Sequence, residues 1–187
     1  MPRAVFLDRD DTLIANREVT ACTGHPGDLY DPALVKLLPG VAEACSELKE
    51  RGYLLIVVSN QGAVARGRCT VAQVEACNAR MALLLKEQEG VTLDGVYFCP
   101  HHPAGTVAPY NAEHPWRKPG PGMLLQAARD LDVDLSQSWM IGDAPRDIEA
   151  ALAAGIPRER AMLIGDAGGG EREARIPDMP AAARLIT

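Results

Sequence analysis

Short apolar runs rich in β-branched or aromatic residues recur at residues 4–7, 53–58, 95–98, 139–141 and 161–164. Each is about strand length, and continuous apolarity marks strands buried on both faces. Between them the period turns helical: Val41, Ala44, Cys45 and Leu48 share one face of a helix over residues 41–50. Thr70-x-x-Gln73 forms a capping box opening a helix over 71–88. Further helices are predicted at 123–131 and at 147–154, the latter stopped by Gly155. Strands alternating with helices imply parallel strands joined by right-handed crossovers. The expected fold is α/β, a doubly wound, mainly parallel sheet with helices on both faces.

Two long connections interrupt this rhythm, at about 13–39 and 99–119, both rich in Gly, Pro and His. Each leaves the C-terminal end of a strand, the edge at which open α/β sheets bind ligands, so both are expected to be functional flaps. Gly168-Gly169-Gly170 reads as a turn before a short last helix. At 187 residues the length suits a single domain over 1–187 without a large cap.

A hydrophobic fraction of 47% with 24% charged residues is ordinary for a globular protein. No apolar run approaches the length of a membrane span, and Asp8 interrupts the N-terminal apolar stretch too early for a signal peptide. Five scattered cysteines without a Cys-x-x-Cys pair fit a reducing compartment, so a cytoplasmic location is expected. A net charge of −6 with no basic block argues against nucleic acid or an anionic membrane as partner. Without a long exposed apolar heptad, a monomer is expected.

The chemistry gathers at strand ends. The first strand runs into Asp8-Arg9-Asp10-Asp11-Thr12, with Asp10 one pleat beyond Asp8. The second ends in Ser59-Asn60-Gln61-Gly62 and the fourth in Gly142-Asp143-Ala144-Pro145-Arg146-Asp147, with Arg117-Lys118-Pro119 between. Asp8, Asp10 and Asp143 on one edge would repel one another without a cation, and an all-oxygen donor set favours Mg²⁺. An Asp can attack phosphorus to form an aspartyl-phosphate while a second Asp protonates the leaving oxygen and then activates water. Asp8 is the expected nucleophile and Asp10 the expected proton shuttle. Ser59 and Lys118 are expected to hold the phosphoryl oxygens.

Asp8-x-Asp10-x-Thr12, Ser59, Lys118 and Gly142-Asp143-x-x-x-Asp147 together resemble the four ordered motifs of the haloacid dehalogenase superfamily, over residues 4–165. The resemblance implies a phosphatase with Mg²⁺ held by Asp8, the backbone carbonyl of Asp10, and Asp143. Asp147 would either orient Lys118 or compensate the N-terminal helix dipole. Asp-Arg-Asp-x-Thr, Ser-Asn-Gln, Cys99-Pro-His-His-Pro103 and Arg117-Lys118-Pro119 further resemble the capless heptose 1,7-bisphosphate phosphatases and the related histidinol-phosphate phosphatases. That implies a small phosphorylated metabolite as partner, foremost the C7 phosphate of the heptose bisphosphate, with histidinol phosphate as the alternative. It also implies substrate contacts at Asn60, Gln61, Gly62 and Arg117. Arg66 and Arg68 are either a solvated pair or a grip on a second phosphate. The complete motif set argues against an inactive ligand sensor, and the lack of a large cap against a phosphotransferase.

The chain departs from that subgroup in two places. The subgroup commonly holds a structural Zn²⁺ with Cys-x-His and Cys-x-Cys. Here Cys99, His101 and His114 can ligate but Trp116 cannot, so the set stops one short of four, and a metal-free flap packed around Trp116 is expected instead. Asp11 replaces a usual Gly, and its side chain is expected to cap the backbone that follows.

Overall fold

The computed structural model describes residues 1–165 and 175–187. Five strands, β1 (Ala4–Leu7), β2 (Leu54–Asn60), β3 (Gly95–Cys99), β4 (Trp139–Gly142) and β5 (Ala161–Leu163), form one parallel sheet in the order β3-β2-β1-β4-β5. Among the described residues six α-helices accompany them: α1 (Arg17–Thr20), α2 (Val41–Glu50), α3 (Val71–Glu89), α4 (Gly122–Asp130), α5 (Pro145–Ala154) and α6 (Met179–Leu185).

Strand alternation divides the core in two. Val5, Leu7, Leu55, Val57 and Ile141 pack with α2, α3 and α6. Ala4, Phe6, Ile56, Val58 and Met140 face α4 and α5 instead. Both faces of the sheet are therefore covered, which is why its strands are continuously apolar. The chain turns from one side of β1 to the other between β3 and β4, so the switch point lies at the C-terminal ends of β1 and β4.

Two boundaries move relative to the apolar pattern. β2 runs two residues past its apolar run, because Ser59 and Asn60 continue the ladder with Phe98 and Cys99 of β3. The 13–39 connection is partly core: Leu13, Ile14, Leu29 and Val35 are buried, and it carries α1 and a 3₁₀ turn, Pro32–Leu34. The expected Gly168-Gly169-Gly170 turn lies outside the described residues, and the helix predicted after it is α6. No helix of the described residues is long and apolar enough to cross a membrane.

Candidate active site

Asp8 continues β1 by one residue, and its amide donates to the Ile141 carbonyl of β4 at 2.9 Å. Alternation turns its side chain to the α4/α5 face, where it is buried. Lys118 reaches the same point from the loop before α4. Its Nζ donates to Asp8 Oδ1 at 2.7 Å and to the Val58 carbonyl at 2.8 Å, and pairs with Asp147 Oδ1 at 2.6 Å. The ammonium thus makes two hydrogen bonds and one close ion pair in a fully buried setting. Asp147 stands in the first turn of α5, and its other oxygen accepts from the Ala144 amide at 3.0 Å. It both caps the helix and grips Lys118, so the two alternatives drawn from sequence coexist. Gly142 makes room for it: a Cβ there would fall inside the Asp147 carboxylate.

Burial, opposed by Lys118 and reinforced by Asp147, Asp10 and Asp143, pushes Asp8 up to about 7. Asp143 is likewise raised by burial and by Asp147, against the pull of Arg146 and Arg17. Burial alone would lower Lys118, but Asp8 and Asp147 outweigh it and hold the ammonium charged. Asp8, Asp143 and Asp147 each bring a carboxylate oxygen within 4.8 Å of the others, and Asp143 Oδ1 is buried without accepting a hydrogen bond. Crowded hard oxygens with an unsatisfied buried acceptor suit a divalent cation such as Mg²⁺.

The Asp10 carboxylate stands outside this trio. It is turned to Arg9 and to Gln61, whose Nε2 donates to Asp10 Oδ2 and to Ser59 Oγ, both at 2.8 Å. The Asn60 side chain makes two bonds of 2.9 Å with the Lys118 backbone, Nδ2 donating to its carbonyl and Oδ1 accepting from its amide, which anchor the loop carrying Lys118. Asn60 and Gln61, expected to contact substrate, are thus already tied to Lys118, Ser59 and Asp10.

Beside the carboxylates opens a cleft of about 200 Å³ lined by Asp10, Asp143, Arg17, Arg66, Arg117 and Arg146, among others. A Cβ on Gly62 would meet Arg66 Nη1 at 3.1 Å and Arg117 Nη1 at 3.3 Å, so the bare backbone lets two guanidinium groups close over it. Burial, with Arg146 and Arg66 close by, lowers Arg117 from its usual value. Asp28 of the 13–39 connection accepts from Arg66 at 2.8 Å and from Arg68 at 2.5 Å, so both are ion-paired, with Arg68 still exposed.

Several partners of the site carried no sequence signal for their contacts. Arg17 donates to Asp143 Oδ2 at 2.7 Å, and Arg175 to the Asp143 carbonyl at 2.7 Å. Asp11, by contrast, caps the backbone that follows as expected: it adopts a left-handed backbone (φ 55°), and its Oδ1 accepts from the Asn16 and Arg17 amides. Asn78 does leave a trace, a polar residue on the apolar face of α3 among Val74, Cys77 and Met81.

The residues considered for zinc do not converge. The His101 and His114 rings stack at 4.3 Å with 15° between planes, which aims their in-plane lone pairs side by side rather than at one point. His114 Nδ1 instead accepts from the Trp116 amide at 3.1 Å, and Cys99 lies buried at the end of β3. Trp116 packs edge-on to Tyr97 and His114.

Residues 115–158 match the family model Hydrolase_like, described as HAD-hydrolase-like. The chain is 43% identical to a D-glycero-beta-D-manno-heptose-1,7-bisphosphate 7-phosphatase of Yersinia pestis over 153 residues, 82% of this chain and 76% of the relative. It is 40% identical to the protein of the same name from Escherichia coli K12, covering 82% and 75%. Among solved structures, a D,D-heptose 1,7-bisphosphate phosphatase from B. bronchiseptica, complexed with magnesium and phosphate, superposes with TM-score 0.75 at 28% identity, covering 99% of this chain and 97% of that one.

Proposed function

Because the chain belongs to the haloacid dehalogenase-like phosphatases and is a phosphoric monoester hydrolase, we propose that it releases one phosphate of a heptose 1,7-bisphosphate through an aspartyl-phosphate at Asp8. The observation that carries this reading is the buried Asp8 carboxylate held by Lys118 at a strand end, within a carboxylate trio completed by Asp143 and Asp147.

Lys118 engages Asp8 Oδ1 and leaves Oδ2 to attack phosphorus as the bond to the sugar oxygen breaks. Asp10, as the acid, gives its proton to the departing oxygen. As the base, it then takes a proton from water, whose oxygen attacks phosphorus and frees phosphate from Asp8. Ser59 and Lys118 donate to the phosphoryl oxygens, supplying hydrogen bonds and positive charge where negative charge spreads. Asp8, Asp143 and the Asp10 carbonyl are the residues that would hold Mg²⁺, and when bound it neutralises charge on the carboxylates and the phosphoryl group. Arg66 and Arg117, facing each other over Gly62, receive the second phosphate of a bisphosphate. The chain acts as a monomer.

The test is phosphate release with Mg²⁺ and with chelator from heptose 1,7-bisphosphate, its monophosphate and histidinol phosphate. A roughly hundredfold higher kcat/KM for the bisphosphate, about 2.7 kcal/mol of differential transition-state binding, is the expected result. Equal turnover of all three overturns the substrate reading, and an Asp8→Asn variant with wild-type turnover overturns the nucleophile.

A further inference from the structure

Arg9 is among the largest fully buried side chains of the described residues. A guanidinium is retained at such a place only where its donors are satisfied, since an unpaired buried charge costs several kcal/mol. Its Nε donates to Asp10 Oδ1 at 3.1 Å, and its Nη2 to Asp10 Oδ1 at 3.0 Å and Oδ2 at 3.1 Å. Nη1 donates to Asn78 Oδ1 at 3.0 Å, and Nη2 also approaches the Leu29 carbonyl at 3.5 Å. Arg9 therefore ties three parts together: the loop after β1, the middle of α3, and the first flap.

Asp10 needs such a tie. It lies beyond the last paired residue of β1, where among the described residues a bridge to Ile14 is its one sheet-like contact and Gln61 is the one side chain besides Arg9 that bonds its carboxylate. Its side chain is 20% exposed and lines the cleft, so the opposite side of the carboxylate faces the cleft. A carboxylate free to rotate about two bonds spends little time within hydrogen-bond reach of a leaving oxygen, and loose placement of about 1 Å costs about 10²-fold in rate.

We propose that Arg9, anchored by Asn78, is a positioning residue that fixes the Asp10 carboxylate for proton transfer to the leaving group. The inference rests on Asp10 being the acid and base. It makes a demand that a purely structural role does not: the defect of an Arg9 variant must depend on how much the leaving group needs a proton. An alkoxide leaves as the alcohol, taking the proton from Asp10 while the phosphorus–oxygen bond breaks. A nitrophenolate leaves without that proton.

The experiment compares Arg9→Lys, Asn78→Ala and Asp10→Asn with the wild type on a primary alkyl phosphate and on p-nitrophenyl phosphate, reading kcat/KM, which covers the steps up to departure of the leaving group and omits hydrolysis of the aspartyl-phosphate common to both esters. Asp10→Asn is expected to lower kcat/KM by about 10²–10⁴ on the alkyl ester and much less on the aryl ester. Arg9→Lys keeps the charge but loses the fork, and is expected to lose about 10²-fold in kcat/KM on the alkyl ester and under about threefold on the aryl ester. Asn78→Ala, which leaves Arg9 in place with one anchor removed, shows the same bias at about threefold to tenfold. This second variant carries the test if Arg9→Lys does not fold. Equal losses on both esters, or none, while Asp10→Asn shows the bias, overturn the positioning role alone. An Asp10→Asn variant without the bias overturns the acid–base reading beneath it, and the positioning role with it.

Discussion

Lys118→Met removes the ammonium while nearly preserving the volume of the side chain, and its cost follows from three contacts. Asp8 at 2.7 Å and the Val58 carbonyl at 2.8 Å lose their donor, Asp147 at 2.6 Å loses its counter-charge, and two buried carboxylates are left facing each other with Asp143 nearby. Breaking a buried ion pair from one side costs about 3–5 kcal/mol. For a chain of this size each kcal/mol moves the midpoint by about 2–4 °C, so Tm should fall by roughly 6–20 °C. The size of the fall depends on pH. Asp8 is already pushed up to about 7, so its contribution is full below about pH 4 and is lost as pH rises through about 7. Without Lys118 to pull it down, Asp8 rises further, and the deficit deepens between about pH 5.5 and about pH 8. Thermal unfolding of both proteins at those two pH values, in chelator, measures it. A variant matching wild type at both, or one whose deficit is larger on the acid side, would refute the reasoning.

Addition of Mg²⁺ at about a hundredfold above its dissociation constant should stabilise the wild type by about 2.7 kcal/mol, and Asp143→Asn should abolish that shift in Tm; an undiminished shift would remove Asp143 from the donor set. Mg²⁺ affinity measured by calorimetry should climb as pH rises through about 7, because Asp8 must release its proton to bind. Gly142→Ala should cost about 1–3 kcal/mol in denaturant unfolding and lower kcat, since the new Cβ displaces the Asp147 carboxylate from Lys118. Arg66→Ala should lower kcat/KM for a bisphosphate by about 10- to 100-fold and leave a monophosphate nearly untouched; equal effects on both would move Arg66 away from the second phosphate.

What could be read from the chain, and what could not, divides along the range of the interactions. Strand ends are local events: an apolar run stops and a polar residue follows, so Asp8, Ser59 and Asp143 were visible as one edge before any packing was known. Lys118 was visible as the basic residue in the segment between these strand ends and as part of the motif set that the chain shares with the superfamily it resembles. The contacts that give these residues their properties join positions far apart in sequence, 110 residues for Lys118 with Asp8, 126 for Arg17 with Asp143 and 69 for Arg9 with Asn78. Hydrophobic period says nothing about which polar side chains meet across such distances. The same limit explains the 13–39 connection, whose Gly and Pro content hides a buried set, Leu13, Ile14, Leu29 and Val35, spaced by no single period. It also explains the zinc candidates. Cys99, His101 and His114 have ligand chemistry, but ligation needs lone pairs that converge, and the stacking of His101 on His114 turns them parallel. Asn60 and Gln61, which the resemblance implies as substrate contacts, line the cleft and also bond Lys118, Ser59 and Asp10, ties that no local pattern announces. A strand edge can therefore announce a reaction while the residues that set its geometry stay hidden until the chain is folded.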